Sequence, residues 1–203
     1  MAPKKRVAPK APKLRVEPAT PDRWSDVETL FGKNGACGGC WCQFFKRTAK
    51  AYVEGSGEGN KRALKRSVTR GESPGLLAYD GDVVVGWCAL EPRENFPRLA
   101  RSRLLKTVEL PESCWSVPCF YVARTHRRRG VTRALLEAAA THARAQGAAF
   151  IEGYPVAPKK DIAPPFAYHG VASAFEKAGF DEVAAPSPTR RVMRKRLRVR
   201  RRT

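Results

Sequence analysis

Apolar and polar positions along the chain switch between two periods. Residues 14–18 alternate, which predicts a first strand. Thr20-Pro21 then supplies an N-cap with proline at the first helical position, and Trp24, Val27, Leu30 and Phe31 recur at helical spacing. A short amphipathic helix over 21–31 follows. Residues 54–60 read as a flexible turn, and 60–70 as a basic helix with Ala63, Leu64 and Val68 inward. Residues 75–79 and 83–90 read as strands joined at Asp80-Gly81, a hairpin signal. The second is apolar on both faces. Residues 92–106 form an insertion, with a helical turn at 99–105. A strand over 115–122 precedes a long alanine-rich helix over 130–146. Its inner face is Val131, Ala134, Leu135, Ala138, Ala139 and Ala143, with His142 beside them, and Gly147 is its C-cap. A strand over 149–156, an irregular loop over 158–165, a short helix over 171–178 and a closing pair of strands complete the order β-α-α-β-β-β-α-β-α-β-β.

Composition places the charge at the ends. The 203 residues carry a net charge of +20. Residues 1–15 hold six cationic side chains and no acid, and residues 190–203 hold nine and no acid. Residues 1–13, rich in Pro, Ala and Lys, cannot bury enough apolar surface to order themselves and read as a disordered tail. Residues 199–203 read as a second basic tail, and the folded domain as 14–198. Basic tails suit non-specific contact with nucleic acid or simple solvation. No apolar run is long enough to span a bilayer and no secretory pattern is visible, so the expected setting is cytoplasmic, with no membrane partner.

Six cysteines occur, three of them in Cys37-Gly38-Gly39-Cys40-Trp41-Cys42. Three readings stand for this cluster: thiols packed under the body, a redox dithiol, or part of a thiolate metal site. No second C-x-x-C follows, and the three histidines show no paired ligand spacing.

The densest chemistry lies at 119–136. A strand ends at Val122, a turn carries Arg127, Arg128 and Arg129, and a helix opens at Gly130. Unpaired N–H groups at a helix start, with the dipole behind them, attract phosphate. Arginine forks add donors for phosphate oxygens.

Val122, Arg127 and Gly130 fall on the fixed positions of V-x-x-x-x-[QR]-x-x-G-x-[GA], and the stretch resembles the acetyl-CoA-binding motif of the GNAT N-acetyltransferases. Thr132 stands where Gly or Ala is usual. Phe175-Glu176-Lys177-Ala178-Gly179-Phe180 resembles that family's later Y-E-K-x-G-F motif. The resemblance covers about residues 14–198. It implies an α/β fold with a mixed, mostly antiparallel sheet, splayed strands and flanking helices. It also implies an acetyl-CoA-dependent N-acetyltransferase in which an amine of a small molecule, peptide or protein attacks the thioester directly in a ternary complex. Acetyl-CoA would lie against Phe120, Tyr121 and Val122, with its pyrophosphate on Arg127, Arg128, Arg129, Gly130, Val131, Thr132 and Arg133. No metal is implied, and homodimers are common in the family. Trp41, Phe44, Phe45 and Tyr154 would shape the acceptor pocket. Glu152 and Glu91 are the candidate bases. Phe175 replaces the tyrosine that often protonates the departing thiolate in that family, which leaves water, or one of Tyr168, His169 and Tyr154, for that task. That loss also admits an acetyl-CoA-binding regulator without turnover, and the tails admit a nucleic-acid-associated protein.

Overall fold

The computed structural model describes residues 14–105, 111–158 and 168–197. Both predicted tails lie outside the described residues, as does most of the predicted 158–165 loop.

Two sheets form the body. The first runs in the order β1 (Leu14–Pro18), β2 (Gly75–Asp80), β3 (Val83–Ala89) and β6 (Phe120–Val122), antiparallel throughout. Asp80 pairs with Val83 across the predicted hairpin, whose Gly81 has φ +61°. Alternation gives β2 two buried faces. Leu76 and Ala78 join the core under the long helix, while Leu77 and Tyr79 join the core on the other side. The second sheet runs β4 (Glu91–Pro92), β5 (Cys114–Val117), β7 (Phe150–Gly153), β9 (Arg190–Arg196) and β8 (Asp181–Ser187). Only β5 and β7 are parallel among these pairs.

The expected single strand over 115–122 is two strands. Pro118 has no N–H to give a ladder, and pairing changes partner there. Before the break, β5 pairs with β7; after it, β6 pairs with β3. The chain therefore crosses from one sheet to the other, and a gap opens between β6 and the segment that follows β7.

Helix α5 (Val131–Ala145) packs between the sheets, burying Val131, Leu135, Leu136, Ala139, Ala140 and Ala143. Full burial of each leucine there contributes about 1.5–3 kcal/mol. The buried stripe includes Leu136 and Ala140, so it sits slightly round from the predicted one. His142 is half-buried, its ring 5.8 Å from Trp115. On the opposite face of the first sheet, α1 (Trp24–Phe31) and α3 (Glu58–Thr69) cover Leu77, Tyr79 and Trp87.

Two segments are more ordered than expected. Thr48 caps α2 (Ala49–Glu54) by accepting the Ala51 N–H at 3.3 Å, so the turn shrinks to 55–57. In the insertion, Pro97 starts α4 (Pro97–Arg101), and Phe96, Leu99 and Leu105 pack with Phe45, Tyr154 and Val192. Helix α6 (Ala172–Lys177) precedes the final hairpin of β8 and β9. Among the described residues, no helix is long and apolar enough to cross a membrane.

Candidate active site

The gap beside β6 is the mouth of a cleft of about 1580 Å³. Strand geometry decides what β6 presents to it. The Ala89 N–H donates to Cys119 O at 3.0 Å, and the Ala123 N–H donates to Val85 O at 2.9 Å. With Tyr121 opposite Trp87, residues 119, 121 and 123 are the ones bonded to β3. Phe120 and Val122 then turn their N–H and C=O groups the other way, toward the cleft. Three of those four groups are engaged, one of them weakly: the Cys119 thiol donates to Phe120 O at 3.9 Å. Phe120 N–H donates to Tyr168 O at 2.6 Å, and Arg127 Nε donates to Val122 O at 3.2 Å. Among the described residues the Val122 N–H has no partner, and the Phe120 carbonyl keeps a lone pair beyond its weak thiol contact.

This edge runs into a cationic turn. A 3₁₀ turn at Arg124–His126 leads through Arg128, at φ +61°, to Gly130, at φ +84°. Only glycine holds that second conformation without strain. A Cβ on Gly130 would meet nothing within 4 Å, so backbone conformation rather than crowding calls for glycine. Gly130 caps α5 without a side-chain bond, which leaves the first helical N–H groups to an outside partner. Arg124, His126, Arg127, Arg128, Thr132 and Arg133 line this end, and His126 Nε2 lies 3.3 Å from Asp80. Arg129 is half-buried and is not among the lining residues.

The other end is aromatic and sulfur-rich. Phe44, Phe45, Tyr52, Tyr168, Cys37, Cys40, Cys42 and Cys119 line it. Arg98 lies 4.0 Å over the Phe44 ring and donates to Phe44 O at 3.0 Å. Tyr168 is pinned to the strand break through its neighbour. The buried His169 ring sits 4.1 Å from the Tyr168 ring and its Nδ1 hydrogen-bonds Pro118 O at 2.9 Å. Burial holds the His169 imidazole neutral, down to about 3, with Arg190 adding to the effect. Partial burial also pushes the Tyr168 phenol above its ordinary value, which already leaves it protonated at neutral pH.

The other sequence candidates lie off the cleft. Glu152 is fully buried, with Arg194 Nη2 at 2.7 Å and Nε at 3.0 Å from Oε2 and Arg93 Nε at 3.5 Å from Oε1. Glu91 is buried against Lys46 and accepts from Asn95 Nδ2 at 2.9 Å. Tyr154 is fully buried, its hydroxyl 3.0 Å from Ser116 Oγ. Trp41 stacks on Trp24 at 6.2 Å and tilts against Phe31 at 5.4 Å. Of the five candidate acid–base residues, Glu152, Glu91, Tyr168, His169 and Tyr154, Tyr168 alone lines the cleft.

Sequence reasoning did not reach Tyr52 or the role of Cys119 in the wall. A helical reading of 49–54 after the Thr48 cap would have brought Tyr52 forward; nothing local marks Cys119. Among the described residues, no group of three His, Cys, Asp or Glu side chains is arranged to hold a metal ion.

A profile of the Acetyltransferase (GNAT) family matches residues 41–158, more than half of the chain. The protein belongs to the GNAT acetyltransferase family. No curated protein matches it in sequence. Among solved structures, an N-acetyltransferase from Staphylococcus aureus Mu50 aligns with a TM-score of 0.54 at 11% identity, over 92% of this chain and 99% of that one. The PaiA N-acetyltransferase of Thermoplasma acidophilum, solved in complex with coenzyme A, aligns at 0.52 and 12%, over 91% and 99%. YncA of Salmonella typhimurium, a putative acetyltransferase solved with acetyl-CoA, aligns at 0.52 and 12%, over 93% and 96%. At such identities the likeness is one of fold.

Proposed function

We propose that this chain is an acetyl-CoA-dependent N-acetyltransferase acting on an amine of a small molecule, peptide or protein. One observation carries the reading: the cleft-facing edge of β6, with its Val122 N–H, leads directly to the arginine-lined start of α5. An amide-bearing arm fits the first as a further strand would, and a diphosphate fits the second. The PaiA and YncA structures, solved with coenzyme A and acetyl-CoA, support the same occupant. Acetyl-CoA supplies an activated acetyl thioester.

The chain's own part is placement and proton handling. Holding amine and thioester in one cleft removes most of the entropic barrier. The aromatic wall of Phe44, Phe45 and Tyr52 receives the acceptor. Tyr168 returns a proton to the departing thiolate, a role supported by its place on the wall and its retained proton. Glu152 and Glu91 act in the fold, since each is itself buried and already committed to cationic partners.

Calorimetry with acetyl-CoA tests the binding, and an acceptor screen that follows free coenzyme A thiol tests turnover. The reading expects saturable binding and thiol release with at least one amine. Failure to bind overturns it. Binding with no release across a broad amine panel would make the protein a binding regulator instead.

A further inference from the structure

The six cysteines fall into two groups. Cys88 and Cys114 are buried within the core, where burial pushes both thiols up, Cys114 to about 12. Cys37, Cys40, Cys42 and Cys119 all line the cleft. Within that second group three sulfurs form a row. Cys42 Sγ lies 3.8 Å from Cys119 Sγ, although 77 residues separate them in sequence. On its other side stands Cys40, two residues back, whose own thiol donates to Gly35 O at 3.5 Å. The neighbouring Cys42 side chain holds the Cys40 thiol down to about 6, so Cys40 is the most readily ionised member of the row.

The row is held by two separately braced segments. Trp41 and Cys42 are consecutive non-glycine residues in the left-handed region, at φ +41° and +51°. Such a conformation persists only where the surroundings impose it. Here Trp41 imposes it, clamped by Trp24 and Phe31 with Lys61 over its ring at 5.3 Å. Cys119 stands at the break between β5 and β6, its carbonyl tied to Ala89. A disulfide needs its sulfurs at about 2.05 Å, so the gap closes by roughly 2 Å, a side-chain adjustment. The spacing that suggested a dithiol in the sequence, Cys37 to Cys40, is not the one that the fold brings into contact.

We propose that Cys42 and Cys119 are a redox-active pair, oxidised to an intramolecular disulfide by a peroxide that enters the cleft and reacts first at Cys40. The Cys40 thiolate attacks one peroxide oxygen. An S–O bond forms, the O–O bond breaks, and the hydroxide released takes a proton to become water. The Cys42 thiol then attacks the Cys40 sulfenic sulfur and expels a second water. A disulfide spanning one intervening residue is strained, which favours exchange. The Cys119 thiol attacks the Cys42 sulfur, forming Cys42–Cys119 and returning Cys40 as a thiol. Two thiols lose two electrons and two protons, and the peroxide becomes two waters. The product ties the acceptor-side loop to the strand that offers Val122 and Phe120. Only this last consequence rests on the acetyltransferase reading; the bond itself does not.

The test uses the full chain, reduced, then exposed to equimolar hydrogen peroxide at neutral pH, alkylated and digested with chymotrypsin. Cleavage after Trp41 and Trp115 parts Cys42 from Cys37 and Cys40, and Cys119 from Cys114. The expected product is a Cys42–Cys119 linked peptide that dithiothreitol releases. Cys40→Ser should slow its formation at least about tenfold. Cys119→Ala, and separately Cys119→Ser, should abolish it. A Cys37–Cys40 link, or oxidation that ends on Cys40 with Cys119 free, overturns the proposal. Calorimetry with acetyl-CoA on the reduced chain separates the two readings. A chain that links but does not bind acetyl-CoA sinks the enzyme reading alone; one that binds but does not link sinks the dithiol alone.

Discussion

Arg194 grips a single oxygen of Glu152 with two nitrogens, Nη2 at 2.7 Å and Nε at 3.0 Å, and Arg93 stands 3.5 Å from the other oxygen. Glu152 has no solvent exposure, and Arg93 only 6%. Removing the carboxylate would leave the buried Arg93 and the partly buried Arg194 facing a neutral amide in place of an anion. Glu152→Gln should therefore destabilise the fold by about 3–5 kcal/mol, read from urea unfolding. A variant of unchanged stability that lost most of its turnover would instead make Glu152 a base in the reaction.

Gly130 tests the phosphate end. Gly130→Asp adds negative charge where the α5 dipole and the arginines favour an anion. Gly130→Asn has the same shape, tolerates the left-handed conformation comparably and adds no charge. Calorimetry should show acetyl-CoA affinity falling at least about tenfold for the aspartate, with the asparagine close to the parent. Equal affinity in all three would move the diphosphate away from this turn.

Tyr168 tests the acid role. Tyr168→Phe removes a protonated hydroxyl on the cleft wall, and should lower kcat by about 10²–10⁴-fold with little change in KM for acetyl-CoA. The alkaline limb of the rate profile should vanish with it. An unchanged kcat and an unchanged limb would assign the proton to water.

Much of this was legible in the residues. The Asp80-Gly81 hairpin, the alanine-lined helix and the arginine turn are local patterns, and each stands where local patterning put it. What failed to show was pairing at a distance. Residues 115–122 read as one strand because the apolar run is continuous, and only Pro118 marks the change of partner. Glu152 looked available because its arginines lie 42 and 59 residues away. Cys42 meets Cys119 for the same reason, and nothing near either announces the other.

Phe175 looked like a lost catalytic tyrosine, and its surroundings say what the ring does here. A Cβ on Gly153 would lie 2.2 Å from Phe175 Cε1, so the ring rests directly on the backbone of β7. Phe175 is fully buried and meets Phe120 and Phe180 edge-on. A phenol oxygen added there overpacks the core. Phe175→Tyr should destabilise the fold by about 1–3 kcal/mol and leave turnover of the remaining folded protein unraised. A variant as stable as the parent with faster thiol release would mean that the ring can reach the cleft.

His169 makes stability depend on pH. Its imidazole is held neutral, at about 3, chiefly by burial between the Tyr168 and Phe45 rings, against about 6.5 when unfolded. Between those values the unfolded chain binds a proton that the folded chain refuses, so stability rises with pH across the window. The contribution is fully present above about 6.5 and is lost as the pH falls toward 3. By pH 5 the loss should be about 2 kcal/mol. Carboxylates change stability over the same range, so the measurement is a difference: urea unfolding of the parent and of His169→Gln at pH 7.5 and pH 5. The parent should lose about 2 kcal/mol more than the variant between the two. Equal losses would place His169 in contact with water and loosen the tie that fixes Tyr168 to Pro118.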